Sequence, residues 1–83
     1  MAAKRHKVGR ARRSPKQRLL GSIRSHAAAA TSLRLRGLVA GAMRYEEDVE
    51  REIARAETAG WGDEAAAAEE RGASEGRAHA AKQ

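Results

Sequence analysis

The chain has 83 residues and a formal charge of +6. It contains no cysteine, which excludes disulfides, cysteine-ligated metal centres and thiol catalysis. Its apolar fraction of 41% is mostly alanine, and only ten residues are Leu, Ile or Val. Highly charged chains with so few large aliphatic residues tend to stay disordered unless a partner adds buried surface. We therefore expect a protein partner or a homo-oligomer.

Positive and negative charges are separated along the chain. Residues 1–44 hold 12 of the 17 basic residues and no acid, whereas residues 45–83 hold all 11 acids. This asymmetry is typical of a segment that binds nucleic acid or a membrane surface. The longest charge-poor stretch, 25–33, is shorter than the roughly 20 residues that cross a bilayer. We predict an intracellular protein that binds nucleic acid, with no membrane partner.

The first 13 residues, MAAKRHKVGRARR, contain no periodic apolar face, which predicts a basic arm that is disordered when free. Arginine suits phosphate because its planar guanidinium donates two parallel hydrogen bonds. With no Phe and one Tyr, stacking on unpaired bases is not expected, so contact with the backbone of DNA or structured RNA is favoured. The predicted nucleic-acid-binding residues are Lys4, Arg5, Lys7, Arg10, Arg12, Arg13, Lys16, Arg18, Arg24, Arg34 and Arg36.

A first helix is predicted over about residues 15–30. Ser14 suits the N-cap, Pro15 the first helical position, and Gln17 completes a capping box three residues after the cap. Leu19 and Ile23 begin an apolar face at helical spacing. The Thr31-Ser32 pair predicts a break or a second cap.

A second helix is predicted over about residues 35–59, ending at Gly60, which suits a left-handed C′ position. Residues 35, 42, 49 and 56 recur every seven positions, as in a helix pair or a dimer. We predict that this stripe dimerises or docks on a larger complex, through Leu35, Leu38, Val39, Ala42, Val49 and Ile53.

A short third helix near 64–71 is predicted after Asp63, followed by a frayed tail with little apolar content. The predicted fold is therefore a small all-α protein. Its predicted parts are the basic arm 1–13, a helical region 14–60, and a segment 61–83 with the short helix and the tail.

The residues that could carry chemistry form no recognisable constellation. The three histidines, His6, His26 and His79, lie far apart with no carboxylate at helical spacing, which predicts no metal site. No nucleophile turn, phosphate loop or paired-carboxylate pocket is evident, and the core is too thin to enclose a dry cleft. We expect a protein that is not an enzyme and binds no cofactor.

Three alternatives remain open from the sequence. The chain could be a helical adaptor or regulatory subunit that binds through residues 35–56. The segment SLRLR at 32–36 could instead form a strand, in which case residues 32–71 resemble the ribbon-helix-helix plan and imply a small repressor or antitoxin. Finally, the acid-free front could be a targeting presequence, with the mature chain starting after about residue 30.

Overall fold

The computed structural model describes residues 13–83, which form three helices and no strand. Helix α1 spans Pro15–Leu35, α2 spans Val39–Thr58 and α3 spans Gly62–Lys82. The start of α1 pairs with the start of α3, whereas α1 and α2 run in opposite directions, so the chain folds up, down and up. The prediction of an all-α protein is confirmed for the described residues.

Both helix connections are short and turn on glycine. Gly37 between α1 and α2 has φ 82°, and Gly60 between α2 and α3 has φ 85°. Side chains other than glycine are strained in this left-handed region, so glycine lets each helix end abruptly. The predicted stop at Gly60 is confirmed, and the turn at Gly37 takes the place of the break predicted at Thr31-Ser32.

Three segments differ from their predicted structure. Helix α2 begins at Val39, although the sequence predicted a start near residue 35. Helix α1 continues through residues 31–35, so SLRLR is helical up to Leu35 and cannot supply the strand of a ribbon-helix-helix fold. Helix α3 has 21 residues and reaches Lys82, although the sequence predicted a short helix that ends near residue 71 and a frayed tail. The three helices are thus nearly equal in length, with 21, 20 and 21 residues.

The extra length of α3 is explained by its close packing on α1. Gly72 and Gly76 are buried, and a Cβ atom at either position would collide with backbone carbonyl groups of α1, at Arg24 and Ala28 respectively. Only residues without a side chain allow helices to approach this closely. The backbone of α3 therefore packs directly against the backbone of α1. Gly72 and Gly76, which would weaken an isolated helix, form this contact.

The interior is made of small residues around one large side chain. Ile23 is fully buried in a cluster with Ala56 and Ala65, and Trp61 packs against this cluster from the α2–α3 turn. The sevenfold stripe of α2 is buried within the chain, because Ala42, Val49 and Ala56 are all inaccessible to solvent or nearly so. Among residues 13–83, the remaining buried apolar residues are Ala27 and Ala30 of α1.

Candidate nucleic-acid interface

The basic arm predicted at residues 1–13, called the basic segment below, is followed directly by a well-formed helix cap. The three helices that follow form the body of the protein. The Ser14 hydroxyl accepts a hydrogen bond from the Gln17 backbone N–H at 3.1 Å, and the Gln17 side-chain oxygen accepts one from the Ser14 backbone N–H, also at 3.1 Å. Pro15 follows at the first helical position. The predicted capping box is confirmed, and it fixes where the basic segment ends and α1 begins.

Two arginines extend the basic surface onto this end of α1. Arg13 and Arg18 are exposed, and one Arg18 guanidinium nitrogen donates to the Arg13 carbonyl oxygen at 2.6 Å. Arg18 also lines a surface cavity of about 280 Å³ with Arg55 of α2. The end of the bundle next to the basic segment therefore presents three exposed guanidinium groups.

Other predicted binding residues are paired with acids from the second half of the chain. Lys16 pairs with Glu64 of α3. Arg24 pairs with Glu75 of α3, with its Nε atom 3.0 Å from both carboxylate oxygens. Each of these cations would have to exchange a carboxylate for a phosphate, so its contribution to binding nucleic acid would be reduced.

Arg34 is held in the same way by Glu46 of α2. Its Nε and one terminal nitrogen donate to the two carboxylate oxygens at 2.7 and 2.8 Å. These hydrogen bonds lower the pKa of Glu46 and raise that of Arg34, and those between Arg24 and Glu75 act likewise on the pKa values of that pair. Three basic residues of the first half of the chain, Lys16, Arg24 and Arg34, are thus paired with acids of the second half across the helix interfaces.

The predicted binding residues do not form one surface. Lys4, Arg5, Lys7, Arg10 and Arg12 lie outside the described residues. Arg34 lies near the far end of α1, about 24 Å from Arg18 at 1.5 Å rise per residue, and Arg36 follows just after the helix ends. Within residues 13–83, the surface continuous with the basic segment is therefore formed by Arg13, Arg18 and Arg55.

A polar cluster that the sequence did not reveal joins α1 to α2. The Ser22 hydroxyl donates to Glu52 Oε2 at 2.6 Å, and His26 Nδ1 lies 3.0 Å from Glu52 Oε1. The His26 ring also lies against Tyr45, with 5.6 Å between ring centroids. Only Ser22 and His26 stand at a recognisable helical spacing, and nothing local marks Glu52 as their partner.

This cluster has the residue types of a hydrolase triad but a different geometry. In a triad, the serine and the carboxylate bind opposite nitrogens of the imidazole ring. Here Ser22 lies 3.4 Å from Nδ1, the same nitrogen that faces Glu52, and the Ser22 proton is directed at the carboxylate. The arrangement ties two helices together and does not activate Ser22 as a nucleophile.

The far end of the bundle carries an exposed apolar patch. Leu35, Leu38, Val39 and Met43 are between 46% and 61% exposed around the α1–α2 turn, and we call these four residues the apolar tip. Leu35, Leu38 and Val39 were predicted as partner-interface residues. Met43 was not predicted but belongs to the same exposed patch. Ala42 and Val49 are instead buried inside the chain, while Ile53 is partly buried beside the core cluster.

The described part of the chain holds neither a metal-binding cluster nor a membrane-spanning helix. Residues 13–83 bring together no group of three or more His, Cys, Asp or Glu side chains that could hold a metal ion. None of the three described helices combines the length and the apolar character needed to cross a membrane.

The chain matches no protein-family model, no curated protein and no solved structure.

Proposed function

We propose that this protein binds nucleic acid through the phosphate backbone, with its basic N-terminal segment and the adjoining end of α1. The observation that carries the proposal is the distribution of unbalanced charge. Residues 13–83 contain 12 basic and 11 acidic residues, a net charge of +1, so the remaining +5 belongs to residues 1–12. Within residues 13–83, three ion pairs join the helices, Lys16–Glu64, Arg24–Glu75 and Arg34–Glu46, so these three cations already have an acidic partner.

The body offers little for reading unpaired bases. Its two aromatic residues besides histidine, Trp61 and Tyr45, pack on the core cluster and against His26 respectively. Stacking on single-stranded bases usually relies on accessible aromatic rings. The proposed contacts are therefore ionic contacts with phosphates of duplex DNA or structured RNA, which carry little base specificity.

The test is the salt dependence of binding to a DNA duplex and an RNA hairpin. Eight basic residues precede the first leucine. If about half of them or slightly more contact phosphates, log K falls against log salt concentration with a slope of about −4 to −5. Changing Arg10, Arg12 and Arg13 together to Ala should flatten this slope by roughly 2 to 3 and weaken binding equally for all sequences.

A matched control removes the same charge from the body. Arg51, Arg71 and Arg77 lie on α2 and α3 and are not among the predicted nucleic-acid-binding residues. Changing these three to Ala should leave the slope nearly as it is in the unaltered protein. An equal effect of both triple variants, or no salt-sensitive binding at low ionic strength, would contradict the proposed function.

A second candidate function is docking on a larger protein, and the apolar tip favours it. Contiguous exposed apolar side chains on a small protein commonly mark an interaction site. Leu38→Ser combined with Met43→Ser should then abolish the association of the full chain with a discrete partner in its own cells, in nuclease-treated extracts. A partner lost on nuclease treatment alone, and kept by the variant, would favour nucleic-acid binding instead.

A further inference from the structure

A groove runs between α2 and α3 on the surface of α1. Its floor is formed by small residues of α1, including Ala27 and Ala30, and its volume is about 290 Å³. The groove exists because α2 and α3 each pack on α1 but make few contacts with one another. It is a separate feature from the apolar tip and from the basic end of the bundle.

The walls of this groove are acidic. Glu50 of α2 and Glu69 of α3 stand on opposite walls, both exposed, and neither forms an ion pair within residues 13–83. Glu46 also lines the groove, but its charge is matched by Arg34. A small apolar floor between two carboxylates suits a lysine or arginine, whose stem covers apolar surface while its charged end reaches an acid.

The basic segment of the same chain is long enough to reach the groove. Ala27 and Ala30 lie about 18 to 23 Å along α1 from Pro15, at 1.5 Å rise per residue. An extended chain covers at most about 3.3 to 3.6 Å per residue, so roughly seven residues before the cap are needed. Counted back from Arg13, Lys7 and Arg5 are six and eight residues away, so both are far enough along the chain to reach the level of Ala27 and Ala30.

We propose that the groove between α2 and α3 binds the basic N-terminal segment of its own chain, with Arg5 and Lys7 facing Glu50 and Glu69. The apolar tip fits this segment less well. It is flanked by Arg34, Arg36 and Arg44, with no acid in residues 34–45, and would repel the segment.

This inference rests on the proposed function, because the same cations that enter the groove contact phosphates in the bound state. Docking and nucleic-acid binding are therefore competitive. Exposed ion pairs are individually weak. Because the basic segment is covalently attached to α1 by a short stretch of chain, its effective concentration at the groove is in the millimolar range, and docking is partial. If the segment is docked for half to four fifths of the time, the affinity for nucleic acid is reduced about two- to five-fold.

Docking itself can be measured on the full chain without nucleic acid. The sequence contains no cysteine, so a nitroxide label can be placed uniquely by Ala66→Cys, one turn before Glu69, or by Ser25→Cys, about 160° around α1 from Ala27. We expect the Ala66 label to broaden the amide signals of residues 4–8 more strongly than the Ser25 label does. The difference should disappear at about 1 M salt, where the Debye length is about 3 Å.

The groove carboxylates are then removed. Glu50→Gln with Glu69→Gln should abolish the excess broadening and strengthen nucleic-acid binding two- to five-fold at low salt. The control is Glu47→Gln with Asp63→Asn, which changes the net charge equally at two exposed positions that do not line the groove. The control variant should keep the excess broadening, and it should strengthen nucleic-acid binding less than the groove variant does.

The outcomes separate the two proposals. Equal broadening from both labels, or equal behaviour of the groove and control variants, would overturn docking in the groove. Broadening between labelled and unlabelled molecules in a mixed sample would show that a second copy supplies the segment, which also overturns docking within one chain. Docking without any salt-sensitive binding of nucleic acid would support the groove and overturn the proposed function.

Discussion

The closest contact in the fold offers a sharp test of how it is held together. In Gly72→Ala, the new Cβ would lie far closer to the Arg24 carbonyl oxygen than van der Waals contact allows, and 3.0 Å from the Ala27 Cβ. A backbone carbonyl cannot rotate away as a side chain can, so α1 and α3 would have to separate. We expect the substitution to destabilise the protein, even though alanine is the better helix former.

The magnitude follows from two opposed effects. Overpacking of an interior contact costs about 1 to 3 kcal/mol, whereas replacing glycine by alanine in a helix gains up to about 1 kcal/mol. Since both partners in the collision belong to rigid helices, we expect a cost near the upper end and a net loss of about 2 kcal/mol. For a chain of this length, such a loss lowers Tm by roughly 10 °C.

The matched control is Gly21→Ala, the same substitution inside α1. The nearest atom to its Cβ is a guanidinium nitrogen of Arg13 at 3.5 Å, at the end of a flexible side chain. This variant should gain about 0.5 to 1 kcal/mol. Urea unfolding followed by circular dichroism measures both variants, and a Gly72→Ala protein as stable as the Gly21→Ala protein would refute the backbone packing of α1 on α3.

Three further results are expected. Gly76→Ala should cost less in the Gly72→Ala background than alone, because helices that have already separated admit the second methyl group, and a double-mutant cycle measures the difference. Ser14→Ala should cost about 1 kcal/mol through loss of the cap, and unchanged thermal melting would show that the capping box contributes nothing. The lowered pKa values of Glu46 and Glu75 imply stability that is complete above the ordinary glutamate pKa of 4.5 and is lost as pH falls through the lowered values. Urea midpoints between pH 7 and pH 3 should fall less steeply when both are changed to Gln, and an identical slope would count against the two pairs.

The start of α1 could be predicted from the sequence because its determinants are local. Ser14, Pro15 and Gln17 lie within four residues, and their hydrogen bonds depend on no other part of the chain. The stop at Gly60 is local in the same sense, since one residue supplies the left-handed conformation. Both features would be expected in this segment whatever surrounds it.

The length of α3 could not be predicted, because its determinants lie on another helix. Gly72 and Gly76 are signs of a helix end when the sequence is considered locally. Their role becomes clear only when α1 lies against them, since the contact stabilises what glycine would otherwise weaken. The spacing Gly72-x-x-x-Gly76 was the available signal, and it indicates close helix packing only when a partner helix is known.

The candidate site shows the same division between local and distant determinants. The periodicity of α2 correctly grouped Ala42, Val49 and Ala56 on one face, but that face packs inside the chain. The sequence predicts that Ala42 and Val49 contact a partner, because so few large aliphatic residues are present that a partner is expected to supply buried surface. The pairing of Arg24 with Glu75 joins residues 51 positions apart, which no local spacing reveals. Nucleic-acid binding by the basic residues stays a prediction.

The close packing of glycine and alanine residues between the helices also affects how the stability of the protein depends on temperature. The heat capacity of unfolding rises with the apolar area that becomes exposed and falls with the polar area. Where backbone packs on backbone, unfolding exposes peptide groups and few hydrocarbon side chains, and Ile23 is the one large side chain that is fully buried in the described residues. The heat capacity change per residue is therefore smaller than in a protein with a leucine-rich core. The free energy of unfolding then changes less steeply with temperature, and it decreases little on cooling.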